Sequence, residues 1–178
     1  MTESQPSTSG DLLPLLQQCL FLESLAPEHL RTLAEMASRV EVVAGERIFR
    51  EGDSADDAFL IVSGRVVLEI CAPGVGCKQI CTLTDGELLG WSPLLEQLKF
   101  TATARALEPT TLIRLDAERL RQQCQEDVAL GYEILRRTGN SLAKRLSATR
   151  LQLIDVYGSQ MPEAEANQAP LDNQRGAE

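Results

Sequence analysis

The residues best suited to chemistry lie in two neighbouring stretches, Gly-Glu-Leu-Leu-Gly-Trp-Ser-Pro at 86–93 and Thr-Ala-Thr-Ala-Arg-Ala at 101–106. The first stretch predicts a glycine turn and one helical turn, and the second predicts a strand of small residues. Free backbone N–H groups at the start of a helix hold anions. The two stretches therefore predict a site for a nucleotide or another small anionic ligand.

Other kinds of site have little support in the sequence. The single histidine, His29, falls in the first predicted helices, where we expect a surface or capping role. A metal centre of the cupin type needs several converging His and carboxylate ligands. Cys71, Cys77 and Cys81 flank one predicted hairpin, but a zinc or iron–sulfur site needs a fourth ligand and tighter spacing. No Walker loop, dinucleotide motif or convincing nucleophile–histidine pair appears. We expect no enzyme, no metal and free thiols.

Composition limits the possible partners. The 178 residues suffice for one domain with tails, and 43% of them are hydrophobic. With 17 Lys and Arg against 26 Asp and Glu, the net charge of −9 argues against direct nucleic-acid binding. Apolar runs are too short to cross a bilayer, and residues 1–10 lack the pattern of a signal peptide. We therefore expect a cytoplasmic protein that binds no membrane.

The middle of the chain has the pattern of an all-β fold. Residues 1–10 and 159–178 are predicted to be disordered, which leaves a folded domain at 11–158. Helices are predicted at 11–19 and 27–38. From 40 to 115, short β-branched and apolar runs separated by glycine turns are typical of a sandwich, jelly roll or barrel. The predicted strands are 40–43, 47–50, 58–62, 65–71, 78–83, 101–107 and 111–115.

A long helix is predicted at 127–157, after a shorter one for which Asp116 is a suitable N-cap. Its apolar and small residues step by four and three, as in a heptad seam. The seam residues are Leu135, Gly139, Leu142, Leu146, Thr149, Leu153 and Val156. Such a helix either lies on the barrel or pairs with its equivalent in a second copy. We favour a homodimer, in which Gly139 and Thr149 make the seam imperfect.

One motif resembles a known family. The segment 51–64, Glu-Gly-Asp-Ser-Ala-Asp-Asp-Ala-Phe-Leu-Ile-Val-Ser-Gly, resembles a characteristic stretch of cyclic-nucleotide-binding domains. These occur in bacterial catabolite-activator-type regulators, protein kinase A regulatory subunits and gated channels. The resemblance extends over about 15–157. It implies a double-stranded β-helix or jelly-roll barrel, about 40–115, flanked by N-terminal helices and a long C-terminal helix.

In that family a phosphate-binding cassette holds the nucleotide. Its glutamate binds the ribose 2′-hydroxyl, and its arginine binds the cyclic phosphate through a bidentate contact. The resemblance places Gly90 at the cassette glycine, and Thr101 and Ala102 at the small residues that follow the arginine. It places Trp91 at the glutamate and Phe100 at the arginine. The loop is about one residue shorter than in the activator-type proteins, so the alternative register has Lys99 near the arginine position, where it would supply a charge without arginine's planar fork. An aromatic ring cannot replace an ion pair worth several kcal/mol of gross interaction, so cAMP binding in the usual way is not expected.

Ser92, next to Trp91, belongs to the same candidate ligand site, and two residues of the long helix complete it. The resemblance places Arg145 and Thr149 near the pocket, where the family's arginine steadies the cassette glutamate and its threonine contacts adenine across the dimer. Because Trp91 replaces that glutamate, Arg145 lacks its expected partner. It is predicted to stack on Trp91 or to bind an anion; the alternative is that both are ordinary helix-face residues.

The resemblance implies a stand-alone regulatory or sensor module with a divergent pocket. The family's transcription factors carry a helix-turn-helix after the long helix, and none is recognised here. The alternative function is that of an adaptor, whose pocket is vestigial and whose long helix or tail binds a partner protein.

Overall fold

The computed structural model describes residues 9–74, 76–95 and 97–157. The expected disordered ends, 1–10 and 159–178, lie outside the described residues, except for Ser9 and Gly10, which begin the first helix. The helices are α1 Ser9–Gln18, α2 Pro27–Glu35, α3 Ala117–Glu126 and α4 Val128–Tyr157. The strands are β1 Ala37–Val42, β2 Arg47–Phe49, β3 Asp57–Ser63, β4 Val66–Ala72, β5 Gly76–Leu83, β6 Leu88–Leu89, β7 Thr103–Ala106 and β8 Thr110–Asp116. Two 3₁₀ turns are formed by Leu20–Leu22 and Ser92–Leu95.

Two four-stranded antiparallel sheets form the predicted barrel, in the strand orders β1-β8-β3-β6 and β2-β7-β4-β5. Successive side chains of a strand point to opposite faces. Ile61 and Leu112 therefore lie in the core between the sheets, whereas Leu60 and Ile113 lie in a second core beneath the helices. We call these the barrel core and the helix-side core. The β-roll flanked by helices confirms the expected fold.

Some boundaries differ from the sequence prediction. Helix α2 ends at Glu35 rather than at residue 38, because β1 begins at Ala37 and pairs with β8 from Leu115 onward. Strand β6 was not predicted, since two residues are too few to show an alternating pattern. The predicted single helical turn in the cassette is confirmed as the 3₁₀ turn Ser92–Leu95, which we call the cassette turn.

The expectation that every cysteine is a free thiol is wrong for two of them. Cys71 and Cys77 form a disulfide. They are joined because the antiparallel register of β4 and β5 places the two residues directly opposite each other. Cys81, on the same strand as Cys77, pairs in register with Leu68 instead and is free.

The expected surface or capping role for His29 is also only partly right. Its side chain is 12% exposed, and its Nε2 lies 3.0 Å from Oδ2 of Asp127. Asp127 precedes α4, and its Oδ1 accepts hydrogen bonds from the N–H groups of Ala129 and Leu130 at 3.0 and 3.1 Å. His29 thereby connects α2 to the beginning of α4. Asp116 caps α3 as predicted, accepting from the Arg119 N–H at 2.9 Å.

Candidate functional site

Gly90 positions the cassette turn. It follows β6 with a φ of 73°, a left-handed conformation that glycine adopts readily. A Cβ at this position would lie 3.2 Å from Cε1 of Phe100 and 3.5 Å from a ring carbon of Phe49. The turn that follows is closed by hydrogen bonds from the Leu94 N–H to the Trp91 carbonyl and from the Gln97 N–H to the Ser92 carbonyl. The glycine thus brings the backbone against aromatic rings.

Six of the seven predicted ligand residues line one small cavity: Gly90, Trp91, Ser92, Thr101, Ala102 and Arg145. The cavity measures about 30 Å³, whereas pockets for small-molecule ligands usually measure about 300–1,000 Å³. Thr149 does not line it; its Oγ1 donates to the Arg145 carbonyl at 2.9 Å. The structure therefore gathers most of the predicted residues, while ligand binding by them stays a prediction.

Phe100 belongs to a group of packed aromatic rings at the cavity wall. Phe100 is 5% exposed, and its ring stacks on that of Phe49 with centroids 3.8 Å apart and planes at 11°. Phe49 also stacks on Phe59, with centroids 6.0 Å apart. These three rings, which we call the aromatic cluster, belong to the barrel core. The cassette therefore has a hydrophobic interior at this position.

Backbone pairing fixes which residue enters the pocket. Residues 98–100 run beside the loop 52–55, and the Phe100 N–H donates to the Asp53 carbonyl at 3.0 Å while its carbonyl accepts from the Gly52 N–H at 2.9 Å. Lys99 pairs with Ser54 and is exposed. In an extended segment neighbouring side chains alternate, so Phe100 faces the cavity and Lys99 does not.

Arg145 contacts the main chain beside the cassette rather than a carboxylate. Its Nη2 donates to the Leu88 carbonyl, while its Nε and Nη1 are buried without a hydrogen-bond partner in the described part of the chain. Burial lowers the pKa of the Arg145 guanidinium, and the nearby Cys81 and Glu87 partly oppose this effect. Arg145 is thus a largely buried cation with unused donors at the cavity wall.

Trp91 and Glu87 have separate roles. Trp91 is half-buried and packs against the helix-side core while also lining the cavity. Glu87 precedes β6, and its Oε2 accepts from the Thr84 N–H at 2.8 Å and from the Thr84 hydroxyl at 3.3 Å. Glu87 therefore closes its own turn, and it does not line the cassette cavity.

Larger openings lie elsewhere on the molecule. An apolar groove of about 440 Å³ lies between the cassette turn, α3 and the beginning of α4. A cleft of about 320 Å³, lined by both polar and apolar residues, lies between α4 and the turn at 84–87. A third opening of about 450 Å³, which we call the hairpin cleft, is lined by Arg47, Arg50, Glu51, Glu69, Cys71, Cys77 and Thr103.

No group of three or more potential metal ligands comes together within residues 9–74, 76–95 and 97–157. In the same part of the chain, no helix has the length and apolar character needed to cross a membrane.

Sequence reasoning missed two residues of the cavity wall, Phe49 and Leu68. Phe49 ends β2, and Leu68 lies in the middle of β4. Both positions look like ordinary inward-facing strand residues. The available signal was Phe100: a buried aromatic residue needs apolar neighbours, and Phe49 is one of the few other aromatic residues in the barrel.

Comparisons with known proteins agree with this geometry. Residues 39–127, half of the chain, match the cyclic nucleotide-binding domain. The HTH-type transcriptional regulator Cmr of Mycobacterium tuberculosis (strain CDC 1551 / Oshkosh) is 28% identical over 97% of this chain and 70% of its own length.

Solved structures share the fold. A candidate cyclic nucleotide-binding protein from Geobacter metallireducens GS-15 has a TM-score of 0.66 and 25% identity, over 79% of this chain and 98% of that one. The catabolite activator protein of Thermus thermophilus has a TM-score of 0.62 and 28% identity, over 78% of this chain and 62% of that one. The matched domain is a regulatory, non-enzymatic one. On its motif, its fold and its cassette frame, the chain belongs to the cyclic nucleotide-binding domain family.

Proposed function

We propose that this protein is a regulatory module of its family whose cassette does not bind cAMP or cGMP in the usual way. The observation that carries the proposal is the stack of Phe100 on Phe49, at 3.8 Å between ring centroids, inside the cassette. A cyclic phosphate placed there would meet apolar rings and would leave water without gaining the bidentate arginine contact that the family resemblance leads us to expect at Phe100. Burying an unpaired charge is costly.

The size of the cavity supports the same proposal. A cavity of about 30 Å³ has room for roughly one or two water molecules. Any ligand that this conformation admits is therefore as small as an inorganic anion. The buried Nε and Nη1 of Arg145 are the donors that would bind it.

We further propose that the module is a homodimer formed through α4. Leu135, Leu146 and Leu153 are 53, 53 and 50% exposed along the predicted seam. Leu142 is half-buried on the same face, and a Cβ at Gly139 would meet nothing within 4 Å. Burying these side chains against a second α4 would remove apolar surface from water, at about 25 cal/mol per Å². Val156 belongs to the predicted seam, and its side chain lies outside the described residues.

The adaptor function is the second candidate, and one surface favours it. Val128 and Tyr132 are 76 and 64% exposed at the rim of the apolar groove. Tyrosine is a typical anchor residue of protein interfaces, and Val128 adds exposed apolar surface beside it. In either role we propose a cytoplasmic protein that binds neither membrane nor nucleic acid directly. The resemblance to regulatory proteins supports the location, and the net charge of −9 argues against nucleic acid.

Thermal-shift and calorimetric titrations with cAMP and cGMP test the main proposal, with a cAMP-binding family member as the positive control. We expect no saturable stabilisation of this protein by either nucleotide. Tight, saturable cAMP binding would show that the cassette opens and that the aromatic cluster does not exclude the ligand. Extending the titration to sulfate and phosphate separates the two roles, because saturable stabilisation by an anion supports sensing and a flat response favours the adaptor.

A further inference from the structure

The disulfide between Cys71 and Cys77 lies at the exposed end of the β4–β5 hairpin. Both cysteines are exposed, and both line the hairpin cleft. Their strands remain paired along the rest of the hairpin, from Val66 opposite Leu83 onward. The pairing of the two strands therefore holds the two sulfur atoms near each other whether or not they are bonded.

The other cysteines are poor competitors for reagents in solution. Cys19 is buried, and burial raises the pKa of its thiol to about 11. Burial also raises the pKa of the Cys81 and Cys124 thiols. Since the thiolate is the reactive form, these three cysteines combine low access with a low thiolate fraction. Exposure distinguishes Cys71 and Cys77 from them.

Two guanidinium groups add positive charge at the same place. Arg47 and Arg50 line the hairpin cleft. Glu69 also lines it, but its carboxylate pairs with Arg105. Glu51 is the other acidic residue that lines the cleft, so apart from Glu69, which pairs with Arg105, the side chains lining the cleft carry one negative and two positive charges. Positive groups favour a thiolate and attract an anionic reagent.

We propose that Cys71 and Cys77 form a reversible thiol–disulfide exchange site for small anionic disulfides of the glutathione type. In the oxidising direction, one thiolate attacks a sulfur of the small disulfide, forms a mixed disulfide and releases one small thiolate. The second protein thiolate then attacks the protein sulfur of the mixed disulfide and releases the other. Two protein thiols lose two electrons and two protons, and one small disulfide becomes two small thiols. Reduction by two small thiols reverses these steps.

This inference does not depend on what the cassette binds. It does bear on the same module, because β4 and β5 also reach the cassette. Leu68 of β4 lines the cassette cavity, and the Cys81 thiol of β5 lies close enough to Arg145 of α4 for their charges to interact. Closing or opening the disulfide changes the end of a hairpin whose base contacts the site.

The test measures exchange directly on the full chain. The protein is fully reduced, freed of reductant, and incubated with defined ratios of glutathione to glutathione disulfide. Free thiols are then alkylated and located by peptide mass spectrometry. We expect Cys71 and Cys77 to pass together and reversibly between the dithiol and the disulfide, while Cys19, Cys81 and Cys124 remain thiols. Cys71→Ser and Cys77→Ser should each stop at a mixed disulfide, and Cys124→Ser should behave as the wild type.

A second experiment tests the contribution of Arg47 and Arg50 to the rate of oxidation. Arg47→Gln combined with Arg50→Gln should slow oxidation by glutathione disulfide about threefold, and it should change oxidation by a neutral small disulfide less. If a serine variant does not fold, differential alkylation of the wild type alone still shows whether Cys71 and Cys77 exchange reversibly with glutathione disulfide. The proposal is overturned if the disulfide persists at every glutathione ratio and opens only with a strong dithiol. It is equally overturned if Cys81 or Cys124 is modified as fast as Cys71 and Cys77.

Discussion

The Phe100 ring lies on the Phe49 ring with centroids 3.8 Å apart and planes nearly parallel, at the wall of the cassette cavity. The two residues are 51 positions apart in the chain (100 − 49) and meet because β2 pairs with β7, and the loop after β2 pairs with residues 98–100. This contact makes Phe100 part of the barrel core at the wall of the cassette cavity. Gly90 permits it, since any side chain there would press on the same rings.

Phe100→Ala should destabilise the protein strongly. The variant removes a ring that is 5% exposed and leaves a cavity beside Phe49, so the free energy of unfolding should fall by about 3 kcal/mol or more. Urea denaturation followed by circular dichroism measures this loss. Leu98→Ala, two residues away and 86% exposed, is the control and should change stability by less than about 0.5 kcal/mol. Equal effects for the two variants would contradict the assignment of Phe100 to the core.

Leu142→Asp should convert the proposed dimer to a monomer. A carboxylate in the middle of an apolar seam would be desolvated without a partner on dimerisation. Light scattering coupled to size exclusion measures the mass of each variant. Ala148→Asp adds the same charge at an exposed position outside the seam, and it should leave the dimer intact. A wild type that is already monomeric would refute the seam.

Arg145→Met should stabilise the protein by about 1 kcal/mol in a buffer of weakly binding anions. The arginine is buried, and two of its donors have no partner within the part of the chain that the structure describes; methionine fills similar volume without the cost of burying those groups. Thermal denaturation measures the change, with the exposed Arg150→Met as the control. If Arg145 binds a small anion, sulfate should raise the Tm of the wild type more than that of Arg145→Met. A strong loss of stability in Arg145→Met without added anion would contradict this interpretation.

Stability at acid pH should depend on Asp127. The N–H of Leu130 lowers the pKa of this carboxyl below the ordinary 3.8, with further help from His29, while burial opposes the shift. A carboxyl whose folded pKa is depressed adds stability above its unfolded pKa and loses it as the pH falls through the folded pKa. Asp127→Asn should therefore flatten the pH dependence of the urea midpoint below about pH 4.

The control for this comparison is Asp155→Asn, at an exposed position late in α4. The urea midpoint of this variant should fall on acidification in the same way as that of the wild type. If Asp127→Asn and the wild type lose stability in parallel on acidification, the link between α2 and α4 through His29 and Asp127 does not contribute to the pH dependence.

The sequence by itself determined the architecture, because local residue patterns indicate where the strands and helices lie. Short β-branched and apolar runs separated by glycine turns between 40 and 115 indicated the strands, and the spacing of apolar residues indicated α4. These signals depend on neighbours within a few positions along the chain. The resemblance to cyclic-nucleotide-binding domains placed Gly90, Thr101 and Ala102 in the cassette frame, and its placement of Trp91 and Phe100 argued against the usual ligand.

Only the tertiary structure decided how the site is filled and which groups meet. The stack of Phe49 on Phe100, the bond of Arg145 to the Leu88 carbonyl and the contact of His29 with Asp127 each join residues far apart in sequence. The disulfide of Cys71 and Cys77 depends on strand register, which a shift of one residue would abolish. Distances across a fold follow from how strands and helices pack together, and no local pattern encodes them.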